Sequence, residues 1–449
     1  MISLVCAGCG ARTFVAETGY PPFVCPRRSQ GGDHVLMPEL PTPSACGDTS
    51  FSNPFLRFAD RMLAFHRCRS PGHAKSPILD EKNGQQYRET VEKLADAVRS
   101  VSGKTFRDTP FFRSETLSRN LGFSAQGGIF LKDETDNPGG SHKGRHLFAL
   151  MVEILVGEAL SQMRERPPLA IASCGNAALA AAIIARAAQW PLHVFVPFAA
   201  EAAVVSALRE LGAKIHFCER EQTTGGDPCY LRFLESVKNG FLPFCCQGPD
   251  NGLTLQGGQT LLAEALCDLA DFGKVPSVVL CQVGGGALAS SCALALQTAV
   301  ETGLLSAWPR LYTVQTEAVS PLARAVVRIE QEFGESAQLS EAQWQQIAAC
   351  KNHYMWPWES LGNSSAHGIL DDETYDWLNL AKTIFRSKGK ALTVSERAIV
   401  AAHQLAKEAT QIAVSPTGSA GLAGLLETDI PTLFQPDENV LCFLTGVSQ

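Results

Sequence analysis

From Gly128 onward, short apolar runs alternate with Ala-rich stretches of helical periodicity. Ile129-Phe130-Leu131-Lys132 predicts a strand and His142 to Gly157 a helix; Leu169-Ala170-Ile171-Ala172 and Ala177 to Gln189 repeat the pair. Leu192 to Pro197 predicts a strand, Ala200 to Leu211 a helix and Lys214 to Cys218 a strand, and Ser277 to Val283 and Val440 to Thr445 continue the series. Strands alternating with helices predict βαβ units, an α/β fold and a mainly parallel sheet covered on both faces. Upstream, residues 51–101 read as helical, with Phe55, Phe58, Met62 and Phe65 at helical spacing and a second, amphipathic helix in the charged run Glu89 to Arg99. The polar stretch Gln331 to Gln346 predicts a solvated surface insertion. No internal repeat is visible.

The first fifty residues have a different texture. Cys6-Ala7-Gly8-Cys9 opens them, Cys25-Pro26 follows the turn signal Tyr20-Pro21-Pro22, and Pro38 to Pro43 reads as a linker. The expected organisation is therefore a cysteine-bearing segment over 1–47, a helical extension over 48–110 and a catalytic α/β unit over 111–449.

Composition narrows the function classes. The chain has 449 residues with 38 basic and 45 acidic side chains, a net charge of −7, which argues against a nucleic-acid partner. Hydrophobic residues make up 45% and charged residues 18%, the composition of a core-forming chain. Apolar runs such as Leu169 to Ile184 are too short or too mixed to predict a membrane span. Met1 to Cys9 lacks the basic start and apolar core of a secretory signal, so the 15 cysteines read as reduced thiols of a cytoplasmic protein, a few of them candidate metal ligands.

Four segments carry candidate chemistry, and in open α/β sheets such segments converge at the carboxyl ends of strands. The first is Asn137-Pro138-Gly139-Gly140-Ser141-His142-Lys143-Gly144-Arg145, between a strand and a helix. A desolvated lysine there has a lowered pKa and forms imines, whereas a solvated helix-start lysine is the bland alternative. The second, Ser173-Cys174-Gly175-Asn176, puts free N–H groups and a helix dipole where an amino-acid carboxylate would bind, or is simply a cap. The third, Gln282-Val283-Gly284-Gly285-Gly286-Ala287-Leu288, follows an apolar strand, and its bare amides suit a phosphate. It is not a dinucleotide fingerprint, because Ala289 stands where the last glycine would be, and a nicotinamide-dependent oxidoreductase is excluded on that ground. The fourth, Ser415-Pro416-Thr417-Gly418-Ser419-Ala420-Gly421, offers a neutral hydroxyl at Thr417 for a heterocyclic nitrogen, or caps a helix.

In this order and spacing the four segments resemble the tryptophan-synthase-β-like, fold type II class of pyridoxal-phosphate enzymes, and within it the threonine synthase branch. The N-terminal cysteines and the run His367-Gly368-Ile369-Leu370-Asp371-Asp372-Glu373-Thr374-Tyr375-Asp376-Trp377 point to the same branch. The resemblance covers about residues 105–446. It implies two open, mainly parallel αβα lobes with pyridoxal phosphate between them and a homodimeric assembly. It also implies that Lys143 binds the cofactor aldehyde, Asn176 its phenolic oxygen and Thr417 its ring nitrogen. Gly284, Gly285, Gly286, Ala287 and Leu288 would cup the phosphate, and Ser173, Cys174 and Gly175 would hold the carboxylate of a small amino-acid substrate. The implied activity is a lyase or β-replacement reaction begun by loss of the Cα proton. The alternatives are threonine synthase itself and a catalytically silent sensor of an amino acid or phosphate, against which the retained Lys143 argues. His142 and Cys174 depart from the family's usual residues, and His142 reads either as a proton shuttle or as a packing histidine.

Cys6-x-x-Cys9 with Cys25 resembles part of a zinc ribbon. Arg28 breaks the second CxxC; His34 would complete a Cys3His set, with Cys46 a poorer fourth ligand. A structural zinc and a ribbon that folds by packing alone both remain open.

Overall fold

The structure is a computed structural model that describes residues 2–69, 84–161, 165–219, 226–334, 338–360, 362–427 and 433–448. Its largest element is a sheet of six strands in the order Lys390–Val394, Arg310–Thr316, Val278–Gln282, Asn439–Leu444, Gly128–Asp133, Phe111–Arg113. All neighbours are parallel except the last pair, where Phe111–Arg113 closes the edge antiparallel to Gly128–Asp133. A second sheet of four parallel strands runs Lys214–Cys218, Leu192–Pro197, Leu169–Ala172, Leu242–Pro243. The mainly parallel pairing is as the periodicity predicts, and the two α/β lobes are as the family resemblance implies.

The alternation of side chains along a strand explains why the large sheet is buried on both faces. Val279, Cys281, Leu441 and Phe443 enter one apolar cluster with Leu261, Leu288 and Trp377. Their sequence neighbours Val278, Leu280, Val440 and Cys442 enter a second cluster with Val314, Ile399 and Leu422. Helices bracket the sheet for that reason. In the other lobe Leu169, Ala170 and Ile171 pack with Ala178 to Ala182 of the helix Asn176–Ala187.

Several expectations need correction. The strands Arg310–Thr316 and Lys390–Val394 were not expected, because Thr, Gln and Lys interrupt their apolar positions. The region expected to be helical over 51–101 holds three short turns, Pro54–Arg57, Ala59–Arg61 and Leu63–Arg67, and then the amphipathic helix Gln85–Ser102. The part of that expectation on residues 70–83 lies outside the described residues. The described part of the stretch 331–346 is largely exposed, as expected, but much of it is helical; residues 335–337 lie outside the described residues. Pro321–Phe333 runs into its start, and Glu341–Ala349 is a helix opened by a Ser340–Gln343 capping box. The polar composition hid Trp344, Ile347 and Ala348, whose spacing puts them on one buried face.

The N-terminal segment forms a three-stranded antiparallel sheet, Arg12–Phe14, Ser3–Cys6, Leu36–Pro38, docked on the large lobe. The Asp33 amide donates to Ala348 O and Lys382 Nζ donates to Ala7 O. The expectation that all cysteines are reduced is also corrected. Cys46 pairs with Cys267 in a disulfide that ties the linker to the helix Thr254–Asp271, which removes Cys46 from the candidate metal ligands.

Candidate active site and N-terminal metal centre

Three strands of the large sheet deliver their carboxyl ends to one place. Gly128–Asp133 leads into the lysine segment, Val278–Gln282 into the glycine run and Asn439–Leu444 into Thr445 and Gly446. Thr445 and Gly446 join the motifs. The His142 amide donates to Thr445 O, Val447 N to Gly140 O and Ser415 N to Gly446 O. Gln282 Nε2 donates to the carbonyls of Thr417 and Gly418 and to Thr445 Oγ1 at 2.9–3.2 Å. A Cβ on Gly446 would lie 3.0 Å from Asn176 Nδ2 and 2.8 Å from Ser141 Cβ. The first, second and fourth segments thus meet at Gly446, and the third is tied to them through Gln282. Sequence reading took Val440 to Thr445 as a strand and missed its end as the hub; the lone Gly446 after it was the available signal.

Lys143 is the first residue of the helix Lys143–Ala159. Gly139 and Gly140 both take positive φ and let the preceding loop turn against the helix of Asn176, where a side chain on Gly139 would strike Ala180. The Lys143 side chain makes no hydrogen bond or ion pair among the described residues. Two turns of buried charge fix the start of its helix. Arg145 is fully buried and donates to Glu134 at 2.7 and 2.9 Å, to Glu264 at 2.5 and 3.0 Å, and to Thr260 and Thr109. Lys132 Nζ adds a 2.8 Å contact to Glu264. Burial alone would raise the Glu264 carboxyl, but Arg145 and Lys132 outweigh it and hold it at about 2.

His142 lies beside the lysine. Its Nδ1 is 3.2 Å from Thr445 O, an acceptor, so the proton sits on Nδ1, and the buried Nε2 has no partner. Burial, with the Lys143 and His146 charges beside it, drives this imidazole well below its ordinary value, and it stays neutral.

The glycine run lies against the segment 367–376. Gly286, at φ 100°, opens the helix Ala287–Glu301. Gly284 O accepts from Thr374 Oγ1 at 3.0 Å and Gly285 O accepts from Asp376 N at 3.1 Å. Side chains here would collide with Asp371 at Gly284 and lie 2.8 Å from Tyr375 at Gly285. Burial first, then the Asp33 charge, push the Asp376 carboxyl up to about 8, so at neutral pH it is an uncharged acid. Thr417 Oγ1 accepts the Gly368 amide at 3.0 Å, which leaves its own proton to donate. Ser415 is the helix cap, accepting from Gly418 N at 2.9 Å. Ser173 and Gly175 are half-buried and Cys174 is exposed at the start of the helix Asn176–Ala187. Burial first, then the carboxylates of Asp227, Asp371 and Glu201, push the Cys174 thiol up.

At the N-terminus, Cys6, Cys9, Cys25 and His34 come together, with their ligand atoms all within 4.8 Å of one another. Cys9 Sγ and Cys25 Sγ are 3.7 Å apart, and Cys6 Sγ lies 3.5 Å from His34 Nδ1. A tetrahedral zinc with bonds of about 2.3 Å to sulfur sets sulfurs about 3.8 Å apart, so the spacing fits the ion. His34 Nε2 lies 2.9 Å from Gly31 O, which places the proton there and leaves the Nδ1 lone pair for a metal. Arg28, at the broken position, instead pairs with buried Asp250 at 2.6 Å.

The sequence profile of the pyridoxal-phosphate dependent enzymes matches residues 104–446. The chain belongs to this family. Among its relatives, threonine synthase of Methanosarcina acetivorans is 24% identical over 341 residues, 75% of this chain and 74% of the relative. L-threo-3-hydroxyaspartate ammonia-lyase of a Pseudomonas species is 27% identical over 71% of this chain and 83% of that one. Diaminopropionate ammonia-lyase from Escherichia coli superposes with a TM-score of 0.58 at 17% identity, over 81% of this chain and 89% of that structure, a likeness of fold. The fold type II assignment stands on this match and on the paired parallel lobes.

Proposed function

We propose that this family member is a pyridoxal-phosphate-dependent lyase that removes the Cα proton of a small amino acid and eliminates its β-substituent. The observation that carries the reading is that Lys143, which has no ion pair among the described residues, and the Gly285 amide both act on the Asp371 carboxyl. When bound, pyridoxal phosphate supplies an aldehyde that condenses with amines and a ring that accepts the electron pair left at Cα. The residues fit that group. Lys143 would hold the aldehyde end and, once released, would take the Cα proton at Nζ and pass it to the departing β-substituent. Gly284, Gly285, Gly286, Ala287 and Leu288 would receive the phosphate; the amide of Gly285 faces the Asp371 carboxyl and favours its anion, while burial raises that carboxyl overall. Asn176 Nδ2 donates to the phenolic oxygen. Thr417 donates a neutral hydrogen bond to the ring nitrogen, which leaves that nitrogen uncharged and favours elimination over transamination. Ser173, Cys174 and Gly175 take the substrate carboxylate at the start of the helix Asn176–Ala187.

The test is borohydride reduction of the holoprotein followed by peptide mass spectrometry. Cofactor mass on Lys143, and its loss in a folded Lys143→Ala variant, is the expected result. Attachment elsewhere overturns the site. Threonine synthase is the second reading, favoured by the relatives. Phosphate release and threonine formation from phosphohomoserine would establish it. The carboxylates of Asp227, Asp371 and Asp372 near the cleft speak against so anionic a substrate.

For the N-terminal centre we propose a structural zinc held by Cys6, Cys9, Cys25 and His34. Four protein ligands leave no open coordination position for catalysis.

A further inference from the structure

The run His367 to Trp377, which the proposed reaction does not use, supplies the anion that the glycine cup faces. Gly284 could carry no side chain because Asp371 Oδ2 occupies that space, and Ile369 Cα would be 2.9 Å from a Cβ there. The Asp371 carboxyl is governed first by burial, which raises it; the Lys143 charge and the Gly285 N–H pull the other way, and Asp372 and Asp227 add to the rise, for a net value of about 6. Its backbone is pinned on both sides. Gly368 N donates to Thr417 Oγ1 at 3.0 Å, Thr374 Oγ1 donates to Gly284 O at 3.0 Å, Trp358 N donates to Asp372 O at 2.9 Å, and Lys351 pairs with Glu373 at 2.6 Å. Those anchors hold the backbone on either side of Asp371, so displacement of its carboxylate is a change of side-chain rotamer and not of the loop.

We infer that the Asp371 carboxylate is an internal competitor for the phosphate cup, occupying the Gly285 amide until a cofactor phosphate displaces it. The inference rests on the proposed cofactor site. Two anions cannot share one set of amides, because like charges at contact repel strongly in a partly dry site. The apparent affinity for the cofactor is then reduced by the fraction of time the cup is free.

The experiment titrates apoprotein with pyridoxal phosphate, reading the visible absorbance of the lysine-bound cofactor, in wild type, Asp371→Asn and Asp372→Asn. Asp371→Asn keeps the side-chain volume and removes the charge from the cup; it should bind about ten-fold more tightly, the gain expected if the cup is free a tenth of the time. Asp372→Asn removes the same charge from outside the cup and should shift affinity by less than about two-fold on the same argument. A parallel calorimetric titration with inorganic phosphate should show the same order. An unchanged or weaker Asp371→Asn affinity overturns the competitor role, and equal gains in both variants assign the effect to general repulsion and overturn it too. Absence of lysine-bound absorbance in all three proteins refutes instead the cofactor site on which the inference rests.

Discussion

Replacing Arg145 by Met tests whether buried charge sets the position of the lysine. The guanidinium is fully buried and serves Glu134, Glu264, Thr109 and Thr260 at once. Met fills similar volume but leaves two buried carboxylates, of which Glu264 keeps Lys132 and Glu134 keeps only Thr109 Oγ1 and Asn137 Nδ2. Stranding a buried partner costs roughly 3–5 kcal/mol. The sign with pH follows from Glu264. Its carboxyl is held at about 2 in the fold, so it contributes stability above the unfolded value of about 4.3 and loses it as pH falls through that range toward about 2. The variant's deficit should therefore be full at neutral pH and narrow on acidification. Urea unfolding followed by tryptophan fluorescence and circular dichroism, with coincidence of the two probes as the check on cooperativity, measures the loss. Arg145→Met, Glu264→Gln and the double variant form a cycle whose coupling should exceed about 1.5 kcal/mol. A loss below about 1 kcal/mol, or additivity in the cycle, refutes the claim that this pair anchors the helix of Lys143.

Metal analysis of the purified chain should find one zinc per protein, and Cys9→Ser should lose it; a metal-free wild type refolded with zinc present refutes the centre. Thr417→Val should weaken cofactor binding about ten-fold while the fold persists, since one buried hydrogen bond is worth about 1.4 kcal/mol. Ser415→Ala, by contrast, should cost roughly 1 kcal/mol of stability through the lost cap and leave affinity in place. If the two variants exchange these effects, the neutral donor to the ring is Ser415.

Three of the four chemical segments stand out in the sequence because each is a strand-to-helix turn of small residues, and the fourth because its Ser415-Pro416 start caps a short helix; such turns announce themselves locally through glycine, cap residues and the end of an apolar run. The parallel lobes were legible for the same reason, since fully buried strands such as Val278–Gln282 carry near-continuous apolar residues. The cysteine and histidine spacing likewise pointed to Cys6, Cys9, Cys25 and His34 before their atoms were seen to converge. Tertiary structure alone decided what depends on residues far apart in sequence. Arg145 finds Glu264 across 119 positions, and Cys46 finds Cys267 across 221. The strands Arg310–Thr316 and Lys390–Val394 are defined by their neighbours in the sheet, and the helix Glu341–Ala349 hides its apolar face among polar residues. In the sequence Asp371 is one residue of the run His367 to Trp377, with no partner indicated. It faces the glycine cup because Thr417 and Gly284 pin its loop from segments about fifty positions downstream and about ninety positions upstream. Local pattern encodes backbone shape and which face is buried; it carries no information about which charged groups the closed fold will bring within reach of one another.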